Sequence, residues 1–160
     1  MDGREFVKLH VAQSNEEGDG VIPKDMRVFT HVYMNLPMIA VEFLDVFNGL
    51  FKIANPQVWC TDPSDPKTLK LPIIHVYGFS QEKEREAAMD YFTERICKAM
   101  LLPEGGFKKE QIISFHNIRD VSGTSHMYST SFWLPYEVAM GLSNTKEGIV
   151  LQSEIPEPAP

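Results

Sequence analysis

The residues Met34-Asn35-Leu36-Pro37 combine the most suggestive chemistry in the chain. Asparagine carries a donor and an acceptor on one short planar amide. At Asn35 such a group can pair with the edge of a planar base or with a cofactor carboxylate. Pro37, two places on, cannot donate from its nitrogen and fixes the local φ. A neighbouring carbonyl can then point at a ligand instead of joining a helix. The same pair has a commoner structural use, because asparagine is a favoured helix N-cap and proline a favoured first-turn residue. Spacing alone leaves both uses open.

Other reactive side chains suggest less. The five histidines, His10, His31, His75, His116 and His126, and the cysteines Cys60 and Cys97 show no metal-ligand spacing. They are expected to be strand or loop residues, with His31 and His75 hydrogen-bonded inside buried strands. Two cysteines so far apart read as reduced thiols of an intracellular protein. Arg119 could meet a phosphate, though a strand-end ion pair is the commoner use. Trp133 is expected in the core. Trp59, in a proline-rich stretch, could stack on bases. No serine or threonine lies near a base with its own orienting group, so no nucleophile is assigned.

The elements that would position Asn35 follow from the hydrophobic pattern. Arg27 to Met34 is rich in β-branched and aromatic residues and reads as a buried strand. Leu36 to Phe51 reads as a largely covered helix, with polar Glu42, Asp45 and Asn48 three apart and an end at Asn48-Gly49. Residues 53–70 hold three prolines and read as a long loop. Leu71 to Phe79 is a second buried strand. Residues 81–102 form the clearest helix, with Ala88, Phe92, Ile96 and Met100 four apart and acidic residues at its start. Gln111 to Arg119 and His126 to Leu134 read as an antiparallel pair joined by a turn-rich link. Strands alternating with helices imply an α/β fold with a doubly wound, mainly parallel sheet. Half a sheet of this kind exposes an edge and should self-associate unless a partner covers it.

Composition sets the outer bounds. The 160 residues are 43% hydrophobic and 11% aromatic, enough for a core. No stretch approaches the roughly 18 apolar residues of a membrane span, so no membrane association is expected. The formal charge of −7 does not suit a chain that alone grips nucleic-acid phosphates. Residues 137–160 read as an extension ending in a disordered proline-rich tail.

HVYMNLPMIAVEFLDVF resembles a hallmark segment of the tRNA guanine-37 N1-methyltransferases, Asn-Leu-Pro followed by a helix of the type Ala-x-Glu-Phe-Leu. MDGREF resembles that family's Asn-Met-Asp-Gly-Arg-x-Phe segment. LPIIHVYGFS resembles its next strand, Ile-x-His-x-Tyr-x-Phe. FHNIRDVSGTSHMYSTSFWLP resembles its closing hairpin, with Ser122-Gly123 in place of the usual Ala-Pro. The resemblance covers residues 1–136, the C-terminal part of a class I methyltransferase domain.

The resemblance implies a Rossmann-like S-adenosylmethionine-dependent methyltransferase sheet, of which this chain carries strands four to seven. It also implies S-adenosylmethionine as cofactor and the anticodon loop of tRNA as partner, with methyl transfer to N1 of guanine 37. Asp2 matches an acid expected to accept from the cofactor's adenine amine, and Gly3 matches the next position, where a backbone N–H can approach adenine. Asn35 matches an asparagine near both cofactor and target guanine, and Pro37 a residue shaping the guanine pocket. The family's glycine motif, its upstream catalytic acid and arginine, and its N-terminal tRNA-gripping modules have no counterpart in the chain. A fragment, short isoform or mis-started reading frame is therefore expected, inactive alone and a partner for the missing N-terminal portion. The other reading is a non-catalytic α/β interaction domain. By resemblance the location is cytoplasmic, nuclear and mitochondrial.

Overall fold

The computed structural model describes residues 3–14 and 28–143. Asp2 and the proline-rich tail lie outside the described residues. The chain begins with helix α1 (Gly3–Ser14), followed by strand β1 (His31–Met34). Two 3₁₀ segments, Val41–Phe47 and Leu50–Ile53, lead to the short helix α2 (Pro56–Trp59). Strand β2 (Ile73–Ser80), helix α3 (Arg85–Ala99), strands β3 (Ile112–Ser122) and β4 (Ser125–Trp133), and the short helix α4 (Tyr136–Ala139) complete the order. No helix among the described residues is long and apolar enough to cross a membrane.

The four strands form one mixed sheet in the order β1-β2-β4-β3. β1 and β2 are parallel, while β4 runs antiparallel to both its neighbours. The last strand thus inserts between β2 and β3, so the fold is α/β with one parallel pair among the described strands. β2 alternates half-buried and buried residues along its whole length. Its inward set, Ile74, Val76 and Gly78, lies opposite Phe132, Thr130 and Tyr128 of β4. Against this face lies α3, whose Ala88, Phe92 and Ile96, together with Met100 at its C-cap, are all fully buried. Each such aromatic or large aliphatic side chain contributes about 1.5–3 kcal/mol by leaving water.

Several expectations need correction. The first strand is shorter than Arg27 to Met34 and is not buried: His31 and Tyr33 are exposed and Val32 and Met34 half-buried. Among the described strands it lies at the sheet edge, and β-propensity reports fit to a pleated surface without saying whether both faces are covered. The segment after it is 3₁₀ and not α. A 3₁₀ helix has three residues per turn, so Glu42, Asp45 and Asn48 stand one above another. The three-residue spacing was itself the 3₁₀ signal. Gly49, in the left-handed region at φ 72°, separates the two segments, where an end was expected. The stretch 53–70 is not a free loop: it contains α2, a 3₁₀ turn at Pro66–Thr68 and an isolated bridge between Cys60 and Leu69.

The two tryptophans exchange roles. Trp59 is fully buried and donates its indole N–H to Ser14 Oγ at 2.9 Å, whereas Trp133 is 57% exposed. Trp133 ends β4 opposite Ile73, on the face away from α3. Just after residue 136 the described chain stays packed, with Val138 and Ala139 buried and the Val138 carbonyl accepting from Gly49 N–H at 2.8 Å.

Candidate functional site

The chain leaves β1 at Met34 and turns sharply. The Leu36 carbonyl accepts from the amides of Ile39 (2.9 Å) and Ala40 (2.7 Å). Leu36 main chain, not the Asn35 side chain, therefore receives the first amides of the turn. Asn35 is exposed, and its amide makes no hydrogen bond among the described residues. Pro37 sits half-buried within the turn, fixing its φ.

Asn35 lines a cavity of about 710 Å³. One wall is β1 and its exit; the facing wall is α1, which presents Gly3, Phe6, Val7 and His10, one stripe at helical spacing. Phe43, Val46 and Phe47 close the base. The lining is mostly apolar, the usual character of a small-molecule site with few polar groups to orient a ligand. Gly3 and Asn35 thus share one cavity although 32 positions separate them in the sequence (35 − 3). Pro37 is not part of its wall. A Cβ placed on Gly3 would meet nothing within 4 Å, so the backbone there faces open space.

Two ion pairs set this geometry. Arg4 Nε and Nη2 donate to the two Asp45 carboxylate oxygens at 2.8 and 3.2 Å, and the guanidinium lies 3.9 Å over the Phe43 ring. This fastens the start of α1 to the 3₁₀ segment. On the other side Arg95 of α3 donates to Glu42 at 2.6 and 3.0 Å and to the Met38 carbonyl at 3.0 Å. Asn48 completes the polar stripe by donating to the Met100 carbonyl (3.2 Å) and Ser143 Oγ (2.8 Å). Glu42 is thereby held as a structural anion.

Beside the cavity His31 and His75 share a 2.9 Å nitrogen–nitrogen contact, and His75 Nδ1 lies 2.8 Å from Ser131 Oγ. The Tyr33 ring stacks on His75 with centroids 4.4 Å apart. Burial, and then the charge of His31, hold the His75 imidazole below the ordinary histidine range. The expected hydrogen bonding is present, but on an open face. At the far end of the sheet Asp120 meets the buried His126, which holds the carboxyl below its usual range. The signals that sequence reasoning passed over are Arg4 and Phe6. They sit in α1, which was read as a motif without a helix attached, although positions 3, 6, 7 and 10 already share a helical face.

No family model matches the chain, and no solved structure matches it. Curated proteins do. A tRNA (guanine(37)-N(1))-methyltransferase of Paramecium tetraurelia is 37% identical over 151 residues, covering 92% of this chain and 30% of that protein. A Candida albicans protein of the same name is 42% identical over 174 residues, covering 87% of this chain and 36% of its own length. In Vitis vinifera, tRNA (guanine(37)-N(1))-methyltransferase 1 is 36% identical over 138 residues, covering 86% of this chain and 18% of its own. The chain spans between 18% and 36% of these relatives.

Proposed function

The chain belongs to the tRNA (guanine(37)-N(1))-methyltransferase family, and from that premise we propose that its cavity is one wall of a site for S-adenosylmethionine and a guanine base. The observation that carries this reading is the unpartnered Asn35 amide facing the same cavity as Gly3. The strand order β1-β2-β4-β3, with the last strand reversed, fits strands four to seven of a seven-stranded methyltransferase sheet.

The residues present fit part of such a ligand. The volume suits a nucleoside-sized molecule and the apolar lining suits its flat rings. The Gly3 backbone can approach a ring edge without a side chain in the way. Asn35 can donate and accept at one planar edge, which orients a base by two contacts. Asp2 would accept from an exocyclic amine. Pro37 would act through the turn, by fixing the direction in which Asn35 leaves the strand. Bound S-adenosylmethionine supplies an electrophilic methyl group. This chain's residues would position and desolvate, and the group that takes the proton from guanine N1 would come from the rest of the polypeptide, since Glu42 is engaged with Arg95.

The reaction we infer for the whole protein is methyl transfer to N1 of guanine 37 of tRNA. Its anticodon loop would have to release the base from its stack to reach the cavity. With a net charge of −7, the chain would leave phosphate contacts to the N-terminal portion. The buried free thiols Cys60 and Cys97 support an intracellular setting.

The test is a chimera in which this chain replaces the matching segment of the Paramecium relative. Methyl transfer to a tRNA carrying guanine at position 37 is expected, with none when adenine stands there. Asn35→Ala should slow it about a hundredfold, the scale of losing one positioned hydrogen-bonding group. An inactive chimera that folds would favour the non-catalytic interaction domain.

A further inference from the structure

The turn that follows Asn35 touches one cavity and is tied to another. Leu36 and Ala40 line the first. From the same turn the Met38 carbonyl accepts from Arg95 Nη2 at 3.0 Å, while Arg95 Nη1 lies 3.5 Å from the Tyr91 hydroxyl. Tyr91 lines a second cavity of about 390 Å³, together with Phe79, Ser80, Gln81, Glu82 and Ser125. Phe79 and Ser80 end β2 as Met34 ends β1, and the two strands run parallel. The second cavity and the Asn35 end of the first therefore open beyond the carboxyl ends of the parallel strands, where α/β sheets place their ligands.

We propose that the second cavity takes the base of a nucleotide adjoining the target guanine in the tRNA loop, with the Tyr91 ring as its stacking face. The proposal rests on the reading above and extends it from the base that reacts to a base that only binds. Four observations carry it. First, one guanidinium bridges the Asn35 turn and Tyr91, a span that the neighbour of a base held at Asn35 can cover. Second, the Tyr91 ring is 41% exposed yet held from behind. It packs edge-on against Phe92 with centroids 5.4 Å apart, and the Arg95 guanidinium lies 5.9 Å from its centroid. Arg95 is itself fixed by Glu42 at 2.6 Å. A ring already held in place loses little freedom when a ligand stacks on it. Third, polar groups stand beside the ring. The Gln81 amide can donate and accept and the Glu82 carboxylate can accept, which suits the edge of a base. Fourth, the net charge of −7 favours contact through an uncharged base over contact through a phosphate.

Unpaired loop bases are splayed out and stacked on aromatic side chains in this way. A base held on Tyr91 would keep the loop open beside the first cavity. It would lower the cost of holding the guanine out of its own stack.

The experiment uses the Paramecium relative carrying this chain in place of its own segment, and reads both retention of tRNA on filters and methyl transfer. Tyr91→Leu should weaken tRNA binding about tenfold, the scale of one lost base stack. The KM for tRNA should rise by the same factor, with kcat and the affinity for S-adenosylmethionine unchanged. Tyr91→Phe keeps the ring and should bind as the unaltered chimera does. An abasic nucleotide at each neighbour of guanine 37 in turn identifies the base. At one of them the unaltered chimera should lose about tenfold, and Tyr91→Leu should then lose nothing further. The inference is overturned if Tyr91→Leu leaves tRNA binding unchanged, if Tyr91→Phe loses as much as Tyr91→Leu, or if the Tyr91→Leu loss persists in full with either neighbour abasic. Methyl transfer with tRNA binding indifferent to residue 91 would sink this inference alone. A ring-dependent and base-dependent effect on binding beside absent methyl transfer would sink the catalytic reading alone. A folded chimera that retains no tRNA would sink both.

Discussion

Arg4 and Asp45 lie 41 residues apart and are joined by two hydrogen bonds of 2.8 and 3.2 Å. This contact fastens the first turn of α1 to the 3₁₀ segment that follows Asn35. It explains how a residue near the start of the chain and one at a strand exit come to share a cavity. Both side chains are partly exposed, 30% and 44%, so solvent screening keeps the pair modest in energy.

Arg4→Ala should therefore cost only about 1 kcal/mol in total, from the ion pair and the lost stacking on Phe43. A double-mutant cycle with Asp45→Ala, read by denaturant unfolding, should give a coupling well under that total. A coupling near zero would mean that α1 is held by its apolar stripe alone.

Gly78 supplies a sharper stability test. A Cβ there would lie 2.5 Å from Phe92 Cε1 and 2.9 Å from Cζ. Phe92 is fully buried and packs edge-on against Phe115 and Tyr128, so its ring has nowhere to retreat. Gly78→Ala should destabilise by about 1–3 kcal/mol, the usual cost of overpacking. The same change at Gly3 or Gly123, where a Cβ meets nothing within 4 Å, should cost far less.

The His31–His75 pair predicts a pH dependence. The folded state holds His75 below its ordinary value of 6.5. Between the folded and ordinary values the unfolded chain binds a proton that the native chain refuses, so stability rises with pH there. The melting temperature should hold above that ordinary value, fall as pH drops through it, and level off once the native state is protonated too. His75→Asn should flatten this fall. The lowered carboxyls of Asp62 and Asp120 act at still lower pH, below the carboxylate value of 3.8, and leave this window clear.

What was legible in the sequence had a local cause. The four-residue recurrence of Ala88 to Met100 specified α3, and the run from Leu71 to Phe79 specified β2. Turn residues between two β-rich runs specified the closing hairpin. What was not legible depended on the whole assembly. Tyr33 and Trp133 have the composition of core residues, but they stand exposed at 68% and 57%. Exposure depends on which faces and edges the rest of the molecule covers. The 3₁₀ geometry was written in the spacing of Glu42, Asp45 and Asn48, a spacing that also marks one narrow stripe on an α-helix among apolar neighbours. At the site, the motif around Asn35 was visible, while the wall formed by α1 was marked only by the helical spacing of positions 3, 6, 7 and 10, a stripe of two turns.

Calorimetric titration of the chimera with S-adenosylmethionine tests the role of Asn35 most directly. One site is predicted, with affinity reduced about tenfold by Asn35→Ala, the equivalent of about 1.4 kcal/mol for a lost hydrogen-bonding group, and unchanged by Leu101→Ala. Heat of binding that is absent at millimolar ligand, or indifferent to the residue at position 35, would contradict it.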